Sequence, residues 1–421
     1  MLLGGMDLVC YTPLPPAPTG VAEYADRLLE ELACPSDGSP RWRVTAATPN
    51  HGVATPARRD RSYRRVAPSD APADAVHLYQ LGNSPHHDFM YPRLRRQPGI
   101  VVLHDLVLHH ARLNHYLHTD EVQAYREDLG NPSKRQLALA VLDDYRDEVE
   151  ANYPDRGEAL SEIAVKMGGG RLFYDYPLFE AVARASRGVL VHSETARREL
   201  KRRCPDIASE RIRLGVAPPT FVDRDTARER LAMDFAPNTK MLASFGLITP
   251  EKQIATVLGA LERLHRAGQK THYFLVGATV SHYDVVEDAR SRGLADFVHV
   301  TGRVDDERFW LHAFAADLCL NLRYPSAGET SATLIGLLAR GRAVVVTREA
   351  IGFDLPDDVA LRASLDGAED GLYCDLSDWL DAPARLRRLE RRAFDFASSE
   401  HSIASMAADY RNAVAQMAHP G

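Results

Sequence analysis

Four short stretches of this 421-residue chain combine residue types and spacing that can do chemistry. In NLRYPSAGETSATLIGLLARGRAVVVT (Asn321 to Thr347), an apolar run ends in a tight turn. Glu329, Thr330 and Ser331 then stand at the mouth of a helix that Gly341 closes. A strand, a turn and a helix start leave unpaired backbone N–H groups and a positive dipole end, a setting that binds anions such as diphosphates. Glu329 would repel a phosphate. It either accepts hydrogen bonds from hydroxyls beside one, or simply favours the helix N-terminus. In ASFGLITPEKQ, Gly246 follows an apolar run and Lys252 follows the turn. Glycine allows close backbone approach, and lysine is a point charge suited to a diphosphate. Gly277 ends HYFLVG in the same way, Thr19 and Gly20 close a proline-rich loop, and His104 and Asp105 end GIVVLHD.

The other polar clusters point to no metal. Histidines gather at His86, His87, His104, His109, His110, His115 and His118, but no HExxH occurs. The pairs Asp143-Asp144 and Asp305-Asp306 lie in helical or loop stretches and read as solvated faces. Asn83, His86 and His87, in LGNSPHH, are candidates to face a second substrate. Basic clusters at Arg58 to Arg65, Arg93 to Arg96 and Arg197 to Arg203 read as solvated surface, with an anionic acceptor or membrane surface as the alternative. The Gly168-Gly169-Gly170 triplet reads as a hinge rather than a phosphate cradle, since it does not join a strand to a helix.

The elements that must position these residues alternate. Apolar runs in MDLVCYTPL, WRVTAATP, AVHLYQLG, GIVVLHDL and GVLVHS are interleaved with amphipathic helices such as VAEYADRLLEEL. The pattern restarts after IRLGVAPP with KMLASFGLI, HYFLVGA, FVHVTG, DLCLNLR and AVVVT. Strands apolar throughout and alternating with helices predict α/β architecture with parallel sheets covered on both faces. The expected organisation is a Rossmann-like domain over 1–215 with a helical insertion at about 106–185, and a second over 216–398. A helix over 399–421 would finish the second domain or reach back to the first.

Composition bounds the function. A hydrophobic content of 45% with 26% charged residues is that of a globular protein, and a net charge of −7 gives no reason to expect nucleic-acid binding. Five scattered cysteines, without a CxxC, predict neither a disulfide framework nor a cysteine zinc site, and point to the cytoplasm. No apolar run reaches the length of a spanning helix, and the start lacks the pattern of a signal peptide. A peripheral contact at the inner membrane face stays open. No GxGxxG opens a helix, which disfavours an NAD-linked oxidoreductase.

PLPPAPTGVAEYA, LGNSPHH, VVLHDLVLHH, VHSETARREL, IRLGV, FGLITPEK and RYPSAGETS with ARGRAVVVT occur in this order along nearly the whole chain. In that order the sequence resembles the retaining, nucleotide-sugar-dependent glycosyltransferases of family 4, whose fold is GT-B: two Rossmann-like domains facing across a cleft. The resemblance implies glycosyl transfer from a UDP- or GDP-linked sugar to an acceptor hydroxyl with retention of configuration. The donor would sit in the second domain and a glycan, lipid-linked or small-molecule acceptor in the first, with no cofactor and no metal. It implies that Lys252, beside Gly246 and Gly277, binds the diphosphate with backbone N–H groups at Gly20, Thr330 and Ser331. Glu329 would hold sugar hydroxyls, and His104 would lie near the transferred sugar with Asp105 behind it. Thr19, Asn83 and His86 would face the acceptor, and Val298 and Val300 would offer backbone groups to the base.

Two positions depart from the family pattern. Leu247 stands where an arginine usually follows the diphosphate-loop glycine, and Leu337 replaces the second glutamate, with no carboxylate before Glu349. Arg323 is the candidate to supply the missing positive charge. The rival readings are a nucleotide-sugar epimerase of the same fold and a nucleotide-sugar-binding protein without catalysis.

Overall fold

The computed structural model describes residues 5–50, 52, 61–128, 130–167, 170–236, 239–348, 354–364 and 368–418. Gly168, Gly169, Glu349 and the first residues of the Arg58 to Arg65 cluster lie outside the described residues. The chain forms two compact units. Unit 1 comprises 1–215, 327–330 and 403–421; unit 2 comprises 216–326 and 331–402.

Unit 1 contains a parallel sheet of seven strands: β1 (Asp7–Tyr11), β2 (Arg43–Ala47), β3 (Arg64–Val66), β4 (Val76–Leu81), β5 (Ile100–Leu103), β6 (Gly188–Val191) and β7 (Ser209–Arg211). Their order is β3-β2-β1-β4-β5-β6-β7. The strand order reverses between β1 and β4, whose register pairs Leu8 with Val76 and Tyr11 with Tyr79. The central strands are apolar because both faces are covered, and Val9, Tyr11, Tyr79, Leu81, Val101 and Val189 share one buried cluster. Between β5 and β6 lies a run of six helices from His109 to Ala185. They carry their own small core of Leu113, Tyr116, Tyr145, Val149, Leu160 and Phe173.

Unit 2 repeats the plan with β8 (Lys240–Phe245), β9 (Thr271–Val276), β10 (Val298–Val300), β11 (Leu318–Asn321), β12 (Val344–Thr347) and β13 (Leu361–Ala363). The order β10-β9-β8-β11-β12-β13 reverses between β8 and β11, where Leu318 pairs with Leu242 and Leu320 with Ser244. Helix Ile254–Arg266 buries Ile254, Val257, Leu258, Leu261 and Leu264 at helical spacing in the core of this unit.

Three strands give no signal in the sequence pattern: β3, β7 and β13. Each has three residues and each lies at a sheet edge, where burial on both faces is not required. The last helix, Ile403–Ala418, belongs to unit 1. Asp409 pairs there with Arg213 at 2.7 Å, and Tyr410 meets Tyr24 at 2.8 Å between hydroxyls.

Candidate functional site

In an open parallel sheet, ligands bind beyond the carboxyl ends of the strands where the order reverses. In unit 2 that point is flanked by the loops after β8 and β11, the two loops that carry Lys252 and Arg323. Gly246 adopts φ +80°, which turns the chain out of β8. A short 3₁₀ turn, Pro250–Lys252, follows, and Gln253 at φ +59° leads into helix Ile254–Arg266. The Lys252 ammonium folds back and donates to the carbonyl of Phe245, the last residue of β8. A Cβ on Gly277 would stand 2.0 Å from the Gly246 carbonyl oxygen, so the ends of β8 and β9 approach as backbone on backbone. The two loops are stitched together: Tyr324 N–H donates to the Glu251 carbonyl at 2.8 Å, and the Gln253 amide donates to the Tyr324 carbonyl at 2.8 Å. Arg323 N–H donates to Thr347 Oγ1 at 2.8 Å, tying the loop to the end of β12.

The helix after this loop is Ala332–Ala339. Its cap is Ser331, whose hydroxyl accepts from Leu334 N–H at 3.2 Å, and its first turn contains no acidic residue. Glu329 lies two residues before the cap, so the reading of Glu329 as a first-turn carboxylate favouring the helix start is corrected. Ala327, Gly328, Glu329 and Thr330 belong to unit 1, where the Ala327 carbonyl accepts from Leu106 N–H at 2.9 Å and Val107 N–H at 3.1 Å. Val298 and Val300 are on β10, two strands out from β8, which places them roughly 10 Å from that strand. Both are half-buried against the core of unit 2.

In unit 1 the order reverses between β1 and β4. After β1 the loop closes on Thr19, which caps helix Gly20–Ala33 and accepts from Val21 N–H. A Cβ on Gly20 would meet nothing within 4 Å, so Gly20 itself faces open space. After β4, Asn83 is held on two sides: its N–H donates to Asp105 at 2.7 Å, and its side-chain oxygen accepts from Ala111 N–H at 2.9 Å. His86 is exposed on a 3₁₀ turn, whereas His87 is buried, its Nδ1 meeting the Gln80 carbonyl at 2.8 Å, which corrects the expectation that it faces a second substrate. Burial pushes the His87 pKa down to about 4.

His104, at the end of β5, has both ring nitrogens engaged. Nε2 meets Gln80 Oε1 at 2.6 Å and Nδ1 meets His192 Nε2 at 3.1 Å. Burial, with His192 and His87 nearby, holds its pKa well below the ordinary histidine range. Gln80 and His192 were not legible as site residues, although Gln80 is a polar residue inside the apolar run of β4 and His192 directly follows β6.

Other polar clusters have structural partners. Arg197, Arg202 and Arg203 pair with Glu194, Glu199 and Glu180, which spends much of that basic cluster within its own surface. Asp305 caps helix Asp306–Ala315 by accepting from Arg308 N–H, and Asp143 is exposed beside Arg146. Among the described residues, no three His, Cys, Asp or Glu side chains are grouped to hold a metal ion. Nor is any described helix long and apolar enough to cross a membrane.

No family model and no curated protein sequence matches the chain. Solved structures do match in fold. Sucrose-phosphate synthase from Thermosynechococcus elongatus aligns over 98% of this chain and 99% of its own, with a TM-score of 0.63 at 15% identity. The fold is GT-B. Anabaena HepE in complex with UDP aligns over 98% of this chain and 100% of its own, with a TM-score of 0.60 at 12% identity. WaaG, a glycosyltransferase involved in lipopolysaccharide biosynthesis, aligns over 99% and 100%, with a TM-score of 0.58 at 13% identity. At these identities the GT-B fold is what the chain shares with them. Each of its two reversal points lies in one of the parallel sheets described above.

Proposed function

We propose that this chain is a glycosyltransferase that moves a sugar from a UDP- or GDP-linked donor to an acceptor hydroxyl, with retention of anomeric configuration and without a metal. The observation that carries the reading is the β8 edge of unit 2. There a left-handed glycine after β8, a close glycine after β9 and a lysine folded over the strand end stand together at the point where the strand order reverses. HepE, a protein of the same fold, has been solved with UDP and with UDP and glucose.

Breaking the anomeric bond builds positive charge on the sugar and negative charge on the leaving diphosphate. Lys252, Arg323 and the N–H groups at Gly20, Thr330 and Ser331 are the groups we assign to the phosphate side, where preorganised charge acts most strongly. Glu329 accepts hydrogen bonds from sugar hydroxyls, and its position ahead of the helix cap supports that role over a capping one. His104 lies near the transferred sugar with Asp105 behind it, and Thr19, Asn83, His86 and Asp105 make up the acceptor side. The acceptor oxygen attacks from the face the diphosphate leaves, and the leaving phosphate oxygen takes the acceptor proton, so no separate protein base is needed. The acceptor is a glycan, a lipid-linked molecule or a small molecule. All five cysteines are free thiols, which suits a reducing cytoplasm.

Incubation with UDP- and GDP-sugars in excess chelator tests the reading. Slow release of free nucleotide is the expected result. Epimer formation would make it an epimerase, and binding without turnover would make it a binding protein. Loss of turnover in chelator, restored by Mg²⁺ or Mn²⁺, would end the metal-free mechanism.

A further inference from the structure

β11 ends in Asn321, a polar residue on a strand whose other members are Leu318, Cys319 and Leu320. Leu318, Leu320 and Leu322 enter the core of unit 2, so alternation turns Cys319 and Asn321 to the opposite face. Asn321 is 8% exposed, and its side-chain oxygen accepts from the Ser331 hydroxyl at 3.4 Å. That hydroxyl accepts from Leu334 N–H as the cap of helix Ala332–Ala339, so the Asn321 carboxamide stands at the helix start. The reverse orientation of the amide would leave both its oxygen and the Ser331 proton unused. The amide nitrogen is the group left over. It is shielded from solvent and has no hydrogen-bond partner among the described residues.

The neighbours of that nitrogen say what it lacks. The register of β11 on β8 pairs Leu320 with Ser244, which brings Asn321 level with Phe245, one strand spacing of roughly 5 Å away. The Phe245 carbonyl is the atom on which the Lys252 ammonium rests. On its other side Asn321 pairs with Val346 of β12. The orphan amide therefore lies between the lysine loop and a helix N-terminus, where the strand order reverses. A buried donor left without a partner costs about 1–3 kcal/mol. A donor that shares its surroundings with an ammonium and the positive end of a helix is suited to an anionic oxygen.

We infer that the Asn321 side chain donates an N–H to the diphosphate of the bound nucleotide, beside Lys252. The inference rests on the reading of this edge as the donor site. The Ser331 contact is at the long end of a hydrogen bond, so turning the carboxamide toward an anion gives up little. Lys252 supplies a point charge, and Asn321 supplies a directed, uncharged hydrogen bond to the same group. Through Ser331 the contact also ties the diphosphate to the cap of the helix that follows. A nucleoside without phosphates has nothing to offer this amide.

Side-chain amide spectra of the full chain, labelled with ¹⁵N at asparagine, read the contact directly. The Asn321 signals are those lost in Asn321→Asp, or in Asn321→Ser should the first variant not fold. Saturating UDP, GDP or pyrophosphate should move the Asn321 N–H protons downfield, and uridine or guanosine should leave them in place. A residue that only held Ser331 would keep its N–H signals unmoved. In titration calorimetry Asn321→Asp, which keeps an acceptor for Ser331 but loses the donor, should weaken UDP and pyrophosphate by about tenfold or more. Signals unmoved by bound UDP, or moved equally by uridine, overturn the inference and leave the glycosyltransferase reading standing. Signals moved by pyrophosphate in a protein that binds neither UDP nor GDP would keep the anion contact and sink that reading alone. Binding of none of the three overturns both.

Discussion

The Lys252 ammonium donates to the carbonyl of Phe245, the last residue of β8, and lies where a Cβ on Gly246 would come within 3.1 Å of Nζ. The residue before the lysine, Glu251, accepts from Tyr324 N–H, so the same turn that aims the charge also fixes the loop carrying Arg323. One turn therefore controls both cations assigned to the phosphate side.

Lys252→Ala should weaken binding of UDP or GDP by about 10- to 100-fold, the scale of a lost charge-assisted hydrogen bond. Titration calorimetry with the nucleotide alone measures it. Arg323→Ala should lower kcat by roughly 100- to 1000-fold if its charge meets the leaving phosphate. Wild-type nucleotide affinity in the first variant, or wild-type kcat in the second, would remove that residue from the mechanism.

The glycines should separate stability from function. Gly277→Ala places a Cβ 2.0 Å from the Gly246 carbonyl oxygen, where backbone must move. A stability loss of roughly 1–3 kcal/mol is expected in denaturant unfolding. Gly20→Ala meets nothing within 4 Å and should leave stability unchanged within about 0.5 kcal/mol. If the Gly20 N–H approaches substrate, that variant still loses kcat/KM.

Acid should destabilise unit 1 through buried histidines. Burial depresses the pKa values of His87 and His109 from 6.5 to about 4. The unfolded chain therefore binds more protons than the folded one between those values. The stabilisation is fully present above pH 6.5 and is lost as pH falls toward 4, on the order of 3 kcal/mol per histidine at the low end. Unfolding midpoints measured from pH 7.5 to 4.5 should fall, and His87→Asn should flatten the curve. A midpoint constant over that range would contradict the buried neutral state.

Arg112 is 3% exposed, and its guanidinium is shared between Glu148, at 2.7 and 2.8 Å, and Asp88, at 2.9 Å. It also lies 4.0 Å over the Tyr91 ring. Arg112→Met takes the buried cation from both carboxylates, leaving Glu148 with the Tyr116 hydroxyl and Arg95 and Asp88 with His115, and should cost about 3–5 kcal/mol. Glu148→Gln leaves the arginine paired with Asp88 and should cost less. Reversal of that order in urea titrations would show that Asp88, despite its distance, does not share the charge.

Much of the architecture was legible in the order of residues, because a strand buried on both faces must be apolar throughout. β1, β4, β5, β8, β9, β11 and β12 announce themselves in this way, and the glycines and lysine that follow them mark the loops. The edge strands β3, β7 and β13 do not, since three residues with one neighbouring strand carry no such requirement. The identity of a helix cap was also hidden: Glu329, Thr330 and Ser331 are all plausible, and only the backbone turn selects Ser331.

The polar chain around His104 lay beyond sequence reasoning for a different reason. Gln80 and Tyr410 are 330 positions apart, and nothing in either local pattern says that the last helix lies against β4. Residue order determined which strands are buried and where their loops turn, because burial and backbone freedom are local demands on composition. Tertiary structure decided which buried polar groups meet, because a hydrogen bond in the core depends on how separate elements pack, and packing leaves no period in the sequence.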